Sequence, residues 1–218
     1  MEKVMKEKMD YLKKVGTGVV SDAMTLLGID GWTTHVFPIA NDAKIAGPAF
    51  TTRSVIPVNG KEKTLGAYGV IDSCKPGEVI VRAGTPEGRL FGSNMALMAK
   101  KKGVEGVVLD GKSRDLNEIE EIIPLFLRSA TVRPSDTVSK LVEIQVPVVF
   151  DGVNVAPGDI VVGDRDGVLF IPADRLDDVI YQCEMIEQVE KEVTEALNQD
   201  LPVAEVVKII KKKSTLRE

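Results

Sequence analysis

The chain has 218 residues and a formal net charge of −5, with 44% apolar and 28% charged residues. This is ordinary globular composition: it excludes a disordered chain, and the negative balance gives no general electrostatic reason to bind nucleic acid. No run of about 18 apolar residues is present to cross a membrane, while roughly 70% of the unfolded surface of a chain this long can be buried in a core.

Val4, Met5, Met9 and Leu12 recur at helical spacing and predict a helix over residues 3–14. A second helix is predicted from Thr17 through Leu27, with Gly28 suited to its left-handed C-terminal end. Residues 44–57 read as strand and 64–72 as helix. The turn Lys75-Pro76-Gly77-Glu78 leads into a buried-type strand, Val79-Ile80-Val81. A Gly-rich loop over 84–92 opens a helix of roughly 93–102 that stops at Gly103. The strand Gly106–Leu109 then runs into a loop, Asp110-Gly111-Lys112-Ser113-Arg114-Asp115. This order is the grammar of an α/β layer structure.

Short strands follow at 147–150, 160–162 and 168–171, the last two entered through the turns at Pro157-Gly158-Asp159 and Asp166-Gly167. Their closeness predicts an antiparallel portion, and so a mixed sheet. From about Asp174 one apolar stripe, Leu176, Val179, Ile180, Cys183, Ile186, Val189, Val193 and Leu197, predicts an amphipathic helix. Such a helix packs on its own domain or on a neighbour's, and the pattern leaves both open. Pro202 breaks it before a short last helix, whose Lys211-Lys212-Lys213 run reads as a solvated end. With no linker and no repeat, residues 1–218 are read as one domain, with a core over about 16–175 and a C-terminal helical segment over about 174–218.

Cys74 and Cys183 lack metal-type spacing and suit a reducing compartment. Met1-Glu2-Lys3-Val4 carries no apolar signal core, and the expected location is cytoplasmic. His35 is the only histidine, which removes a two-His-one-carboxylate iron site and a His-rich zinc site. It is read as structural. No Gly-x-Ser-x-Gly elbow is present. The missing Gly-x-Gly-x-x-Gly fingerprint counts against nicotinamide chemistry and, more weakly, against an S-adenosylmethionine methyltransferase.

One dense constellation remains. Backbone N–H groups at the helix start Ser93-Asn94-Met95 have no intrahelical partner and suit an anion. Arg114 offers a planar fork for a carboxylate, and Asp115 offers oxygens suited to magnesium or manganese. Glu118 extends this acidic corner. The competing reading is a surface ion pair or turn, or a helix cap, since Asp115 and Glu118 have capping-box spacing.

Phe91-Gly92-Ser93-Asn94-Met95, followed by Gly103–Asp115, resembles the RraA-like superfamily, which includes the 4-hydroxy-4-methyl-2-oxoglutarate and 4-carboxy-4-hydroxy-2-oxoadipate aldolases and the regulators of ribonuclease activity A. Further segments agree in order over residues 16–195: Val20-Ser21-Asp22-Ala23, Leu27-Gly28-Ile29, Ile45-Ala46-Gly47-Pro48-Ala49, Lys75-Pro76-Gly77-Glu78, Arg133-Pro134-Ser135 and the distinctive Pro157–Val168. The resemblance implies an αββα-type sandwich assembled as homotrimers, often paired into hexamers. It implies a divalent-metal-dependent (class II) lyase, using Mg2+ or Mn2+, that cleaves small 2-oxo acids to pyruvate and decarboxylates oxaloacetate.

Carried over, Arg114 binds the 2-oxo acid, Asp115 holds the metal, and the Gly92–Met95 turn contacts substrate through the amides of Asn94 and Met95. Glu118 completes the motif. An acid from a neighbouring subunit's C-terminal helix is expected near the metal, with Glu192 the candidate and Glu190 and Glu195 close behind. Where the aldolases carry Gly or Glu followed by two apolar residues, this chain has Ser93-Asn94-Met95, which bears on substrate shape. Two alternatives stand beside the lyase: an RraA-type regulatory protein-binding module without catalysis, and a Schiff-base aldolase using Lys112.

Overall fold

The computed structural model describes residues 3–58, 63–84, 87–134 and 139–216. Helix α1 spans Lys3–Leu26, but Gly16 inside it has φ 82° and ψ 166°, so it is two helices meeting at a kink. Both predicted N-terminal helices are therefore present, and the break falls on the residue that tolerates positive φ. Asp164 starts the second half, accepting from the Thr17 N–H at 2.8 Å and the Thr17 hydroxyl at 2.6 Å.

The chain continues through β1 (Phe37–Pro38), β2 (Ile45–Val55), α2 (Ala67–Ser73), β3 (Val79–Ala83), α3 (Ser93–Lys101), β4 (Gly106–Ser113), α4 (Leu116–Glu120), β5 (Leu125–Ala130) and β6 (Lys140–Ile144). The hairpin β7 (Val148–Phe150) and β8 (Val153–Val155) precedes β9 (Ile160–Asp164) and β10 (Gly167–Ile171), and α5 (Leu176–Asn198) and α6 (Val203–Thr215) close the order. The main sheet runs β1-β5-β4-β3-β2-β9-β10, with β6 also on β2. Strands β2 to β5 pair in parallel, whereas β9 is antiparallel to both β2 and β10. The two ends of the order, β1 and β10, approach each other, so the mixed sheet nearly closes on itself.

Side-chain alternation sorts the strands into layers. Val79 and Val81 on β3, Val108 on β4, Phe126 on β5, Val161 on β9 and Val168 and Phe170 on β10 meet in a central core. Ile80, Val107, Leu109, Leu125 and Leu127 point the other way, against Val70 and Ile71 of α2, Ala96 and Ala99 of α3 and Ile119 of α4. Ile160, Val162, Leu169 and Ile171 face Met9, Leu12 and Val20 of α1 and Val179, Cys183 and Ile186 of α5. This is the expected helix–sheet–sheet–helix layering.

Two readings need correction, and one left open is decided. Strand β4 continues past Leu109 to Ser113, where a loop was expected, with an irregular register between Leu109 and Lys112. A carboxylate is tolerated inside it because Asp110 accepts from Arg128 Nε at 2.5 Å. Strands β5 and β6 were not anticipated. The C-terminal stripe packs at home: Leu176 to Ile186 lie in the α1 cluster, and Val189, Val193 and Ala196 pack with Val206 of α6. Of its members, Leu197 stays exposed, so the stripe itself gives no argument for an oligomer. Among the described residues no helix is long and apolar enough to cross a membrane.

Candidate active site

A cavity of about 450 Å³ opens at the N-terminus of α3, on the face of the sheet covered by α2 and α3. Gly92, Ser93, Asn94, Met95, Arg114 and Asp115 all line it. Ser93 and Asp115 are 22 residues apart in sequence, and the segment before α3 joins helix start and strand end. Arg89 bridges in parallel to Lys112, the Leu90 N–H donates to the Lys112 carbonyl at 2.8 Å, and the Ser113 hydroxyl donates to the Phe91 carbonyl at 3.0 Å. The described part of the Gly-rich loop thus runs as an extra strand-like edge beside the end of β4. Thr85 and Pro86 of that loop, and Ser135 of the Arg133-Pro134-Ser135 segment, lie outside the described residues.

Asp115 has φ 60° and ψ 34°, left-handed geometry just before α4. Among non-glycine residues Asp and Asn adopt it most readily, and the surrounding contacts must hold the strain. The side chain does not cap its own helix, so the capping-box expectation with Glu118 is not met. The carboxylate instead turns to α3, where Oδ2 accepts from the Ser93 N–H at 3.2 Å. Arg114 Nε lies 3.4 Å from the same oxygen, with the Arg114 side chain about half exposed and Asp115 less so. Gly92 makes room: a Cβ there would stand 3.1 Å from Asp115 Oδ2.

At the start of α3 the Ser93 N–H is thus occupied by Asp115, and the Met95 N–H donates to the Gly92 carbonyl at 3.0 Å. This corrects the expectation that Met95 offers a free amide. Asn94, exposed, keeps a first-turn N–H without an acceptor among the described residues. Glu118 is exposed on α4 and does not line the cavity. Glu192, on α5, pairs with Lys212 of α6, and Glu190 pairs with Lys213. Neither acid reaches the cavity of its own chain. Lys112 is held by Glu87 at 2.8 Å and is absent from the lining, which leaves the Schiff-base reading without geometric support. His35 sits apart, its ring paired with Asp151 at 2.9 Å.

Among the lining residues that sequence reasoning missed are Arg82 and Ser139. The signal for Arg82 was present, a cation inside Val79-Ile80-Val81-Arg82-Ala83, where a buried parallel strand is normally apolar throughout. In all, Arg82, Arg89, Arg114 and Lys140 bring four cationic groups to the cavity against the single carboxylate of Asp115 among the described lining residues. Such a cavity favours an anion.

A divalent ion such as magnesium or manganese needs hard oxygen donors. Among the described residues no group of three His, Cys, Asp or Glu side chains could enclose one. Asp115 Oδ2 is engaged, while Oδ1 has no hydrogen bond among the described residues and remains a hard oxygen donor. Magnesium and manganese are commonly held by one or two carboxylates, with water and substrate filling the rest. Asp115 fits that mode.

The family signature described as RraA-like, Aldolase/RraA, matches residues 17–170. A Halalkalibacterium halodurans protein, provisionally named a 4-hydroxy-4-methyl-2-oxoglutarate aldolase, is 30% identical over 174 residues, which cover 78% of this chain and 79% of that protein. The 4-hydroxy-4-methyl-2-oxoglutarate aldolase of Thermus thermophilus is 40% identical over 84 residues, covering 38% of this chain and 51% of the relative. Among solved structures, Streptomyces coelicolor RraAS2, titled an unusual member of the RNase ES inhibitor RraA protein family, superposes with a TM-score of 0.76 at 26% identity, covering 85% of this chain and 94% of that one.

Proposed function

The chain belongs to the RraA-like (Aldolase/RraA) family, and from its cavity we propose that it is a divalent-metal-dependent lyase cleaving small 2-oxo acids. The observation that carries this reading is the meeting of Arg114 and Asp115 with the N-terminus of α3 in one cationic cavity. Retro-aldol cleavage of a 4-hydroxy-4-methyl-2-oxoglutarate-type substrate breaks the C3–C4 bond. The 4-hydroxyl loses its proton and becomes a ketone, and the bonding pair stays on the released three-carbon fragment as pyruvate enolate. Decarboxylation of oxaloacetate breaks its C3–C4 bond to give the same enolate and carbon dioxide, so one site serves both reactions.

Arg114 grips the 2-oxo acid end through its fork, and its charge, with the Asn94 N–H, opposes the negative charge that develops on the 2-oxo oxygen. Asp115 would hold Mg2+ or Mn2+, which when bound supplies Lewis-acid polarisation of that oxygen. The acceptor proposed for the 4-hydroxyl proton is water. The proposed setting is the cytoplasm, which suits the two free cysteines. The proposed assembly is a homotrimer or hexamer, in which a partner acid such as Glu192 would reach the metal.

The experiment is pyruvate release from oxaloacetate and from 4-hydroxy-4-methyl-2-oxoglutarate, with and without magnesium. Magnesium-dependent release supports the lyase. No release from either substrate moves the reading to a regulatory protein-binding module, which the likeness to RraAS2 favours.

A further inference from the structure

Arg82 is only 8% exposed and Ser139 only 6%, yet both line the cavity. The Arg82 Nε donates to the Ser54 hydroxyl at 3.1 Å, and one of its terminal nitrogens donates to the Leu90 carbonyl at 2.7 Å. Both acceptors are neutral, and no carboxylate pairs with Arg82 among the described residues. Burial pulls the guanidinium down only to about 10, so it remains a cation at neutral pH. A buried charge without a counter-charge is costly, and a guanidinium has five N–H donors, of which these bonds use two. The Ser139 hydroxyl is buried with no hydrogen-bond partner among the described residues, a second unmet demand on the same cavity wall.

We propose that Arg82 and Ser139 form a second anion subsite, which receives the distal carboxylate of a 2-oxo dicarboxylate whose 2-oxo acid end lies at Arg114. The proposal rests on the reading of Arg114 given above. The placement follows from the fold. Arg82 stands on β3 with the parity of Ile80, which faces the α2–α3 layer. Its bond to the Leu90 carbonyl ties it two residues before Gly92, on which Asp115 rests. The two arginines therefore address one cavity from different strands, Arg82 from the wall and Arg114 from the half-exposed end of β4. With Nε and one terminal N–H engaged, three N–H donors of Arg82 remain for the oxygens of an incoming carboxylate. Ser139 adds one more donor. A monocarboxylic 2-oxo acid would satisfy Arg114 and leave the buried pair unmet.

The test is calorimetric binding, with magnesium present, of 2-oxoglutarate and of 2-oxopentanoate, which lacks the distal carboxylate. The wild type is expected to prefer 2-oxoglutarate by at least tenfold. Arg82→Met should bring the ratio of the two affinities close to one. Ser139→Ala, which removes an unpartnered hydroxyl and should fold normally, is expected to lower the ratio three- to fivefold. Arg114→Lys should weaken both ligands together. A wild type that does not discriminate, or that binds neither ligand, overturns the subsite. So does an unchanged ratio in Ser139→Ala, the deciding variant if Arg82→Met fails to fold. If the ratio collapses with Arg82→Met while Arg114→Lys weakens neither ligand, the subsite stands and the assignment of Arg114 fails.

Discussion

The carboxylate of Asp115 accepts a hydrogen bond from the backbone N–H of Ser93 at 3.2 Å, so a residue at the end of one strand caps a helix that begins 22 residues earlier. The left-handed backbone of Asp115, at φ 60°, turns the side chain that way. One oxygen is thereby fixed to α3, and the other has no hydrogen bond among the described residues.

Replacing Asp115 with Asn tests both halves. The amide loses the charge that attracts a hard cation, so pyruvate release should fall to background and not recover at high magnesium. The same change weakens a charged cap on α3 and should cost about 0.5–1 kcal/mol of stability. Melting temperature and magnesium-dependent turnover on one preparation separate the effects. A mutant with full activity, or a wild type indifferent to chelator, would defeat the metal-lyase reading.

Arg114→Lys keeps the charge and loses the planar fork. The expected loss of transition-state stabilisation is about 2–4 kcal/mol, roughly 30- to 1000-fold in kcat/KM. Since the Arg114 side chain is about half exposed, its thermal melt should barely move. Unchanged kcat/KM removes Arg114 from the site.

Gly92→Ala is a finer probe. Its φ of −162° is open to alanine, but the new Cβ would stand 3.1 Å from Asp115 Oδ2. The carboxylate must yield, and small misplacements at a reacting centre are expensive, so turnover should drop about tenfold or more with little change in melting temperature. Unaltered turnover would show that the position of Asp115 is not critical.

Acid stability should follow Asp151, which sits in the β7–β8 turn with its side chain 3% exposed. Burial pushes its carboxyl up, but hydrogen bonds from His35 and Thr34 and the charge of Arg128 outweigh that and hold it below the usual carboxylate range. A carboxylate with a lowered pKa contributes stability that is full above its unfolded value and is lost as pH falls through its folded value. The wild type should therefore lose this contribution below about pH 4. Asp151→Asn leaves Arg128 with Asp110 alone and should cost about 3 kcal/mol at pH 7, a gap that narrows in acid. Urea unfolding at pH 7 and pH 3 measures it, and a gap that widens in acid contradicts the assignment.

Both cysteines should be inert in the native protein. Cys74 and Cys183 are buried, and burial raises each thiol to about 12, with nearby glutamates adding to the effect. The thiolate is the reactive form, so a disulfide-exchange reagent at pH 8 should label neither until denaturant is added, and then both. Rapid labelling of either in the folded state would place that thiol nearer solvent than found here.

Periodicity and turn chemistry alone determined much of the fold. The two N-terminal helices, α3 and its stop at Gly103, the C-terminal helices divided at Pro202 and the mixed sheet were legible, because amphipathic spacing and Gly or Pro punctuation are local properties. Arg114, Asp115 and Gly92–Met95 were legible as candidates through residue chemistry and family resemblance. Tertiary structure decided the rest. Strand β5 and the extension of β4 depend on pairing with distant partners, and Asp110 is acceptable inside a strand only because Arg128 reaches it. Asp115 reads as a cap for its own helix and proves to cap another, because side-chain direction follows from φ at one residue and from where the topology puts α3. Arg82 and Ser139 lie 57 residues apart, and only the packing of β3 within the sandwich brings them to the wall of one cavity. Burial without a counter-charge among the described residues is a property of that assembled wall, invisible in either residue's own neighbourhood.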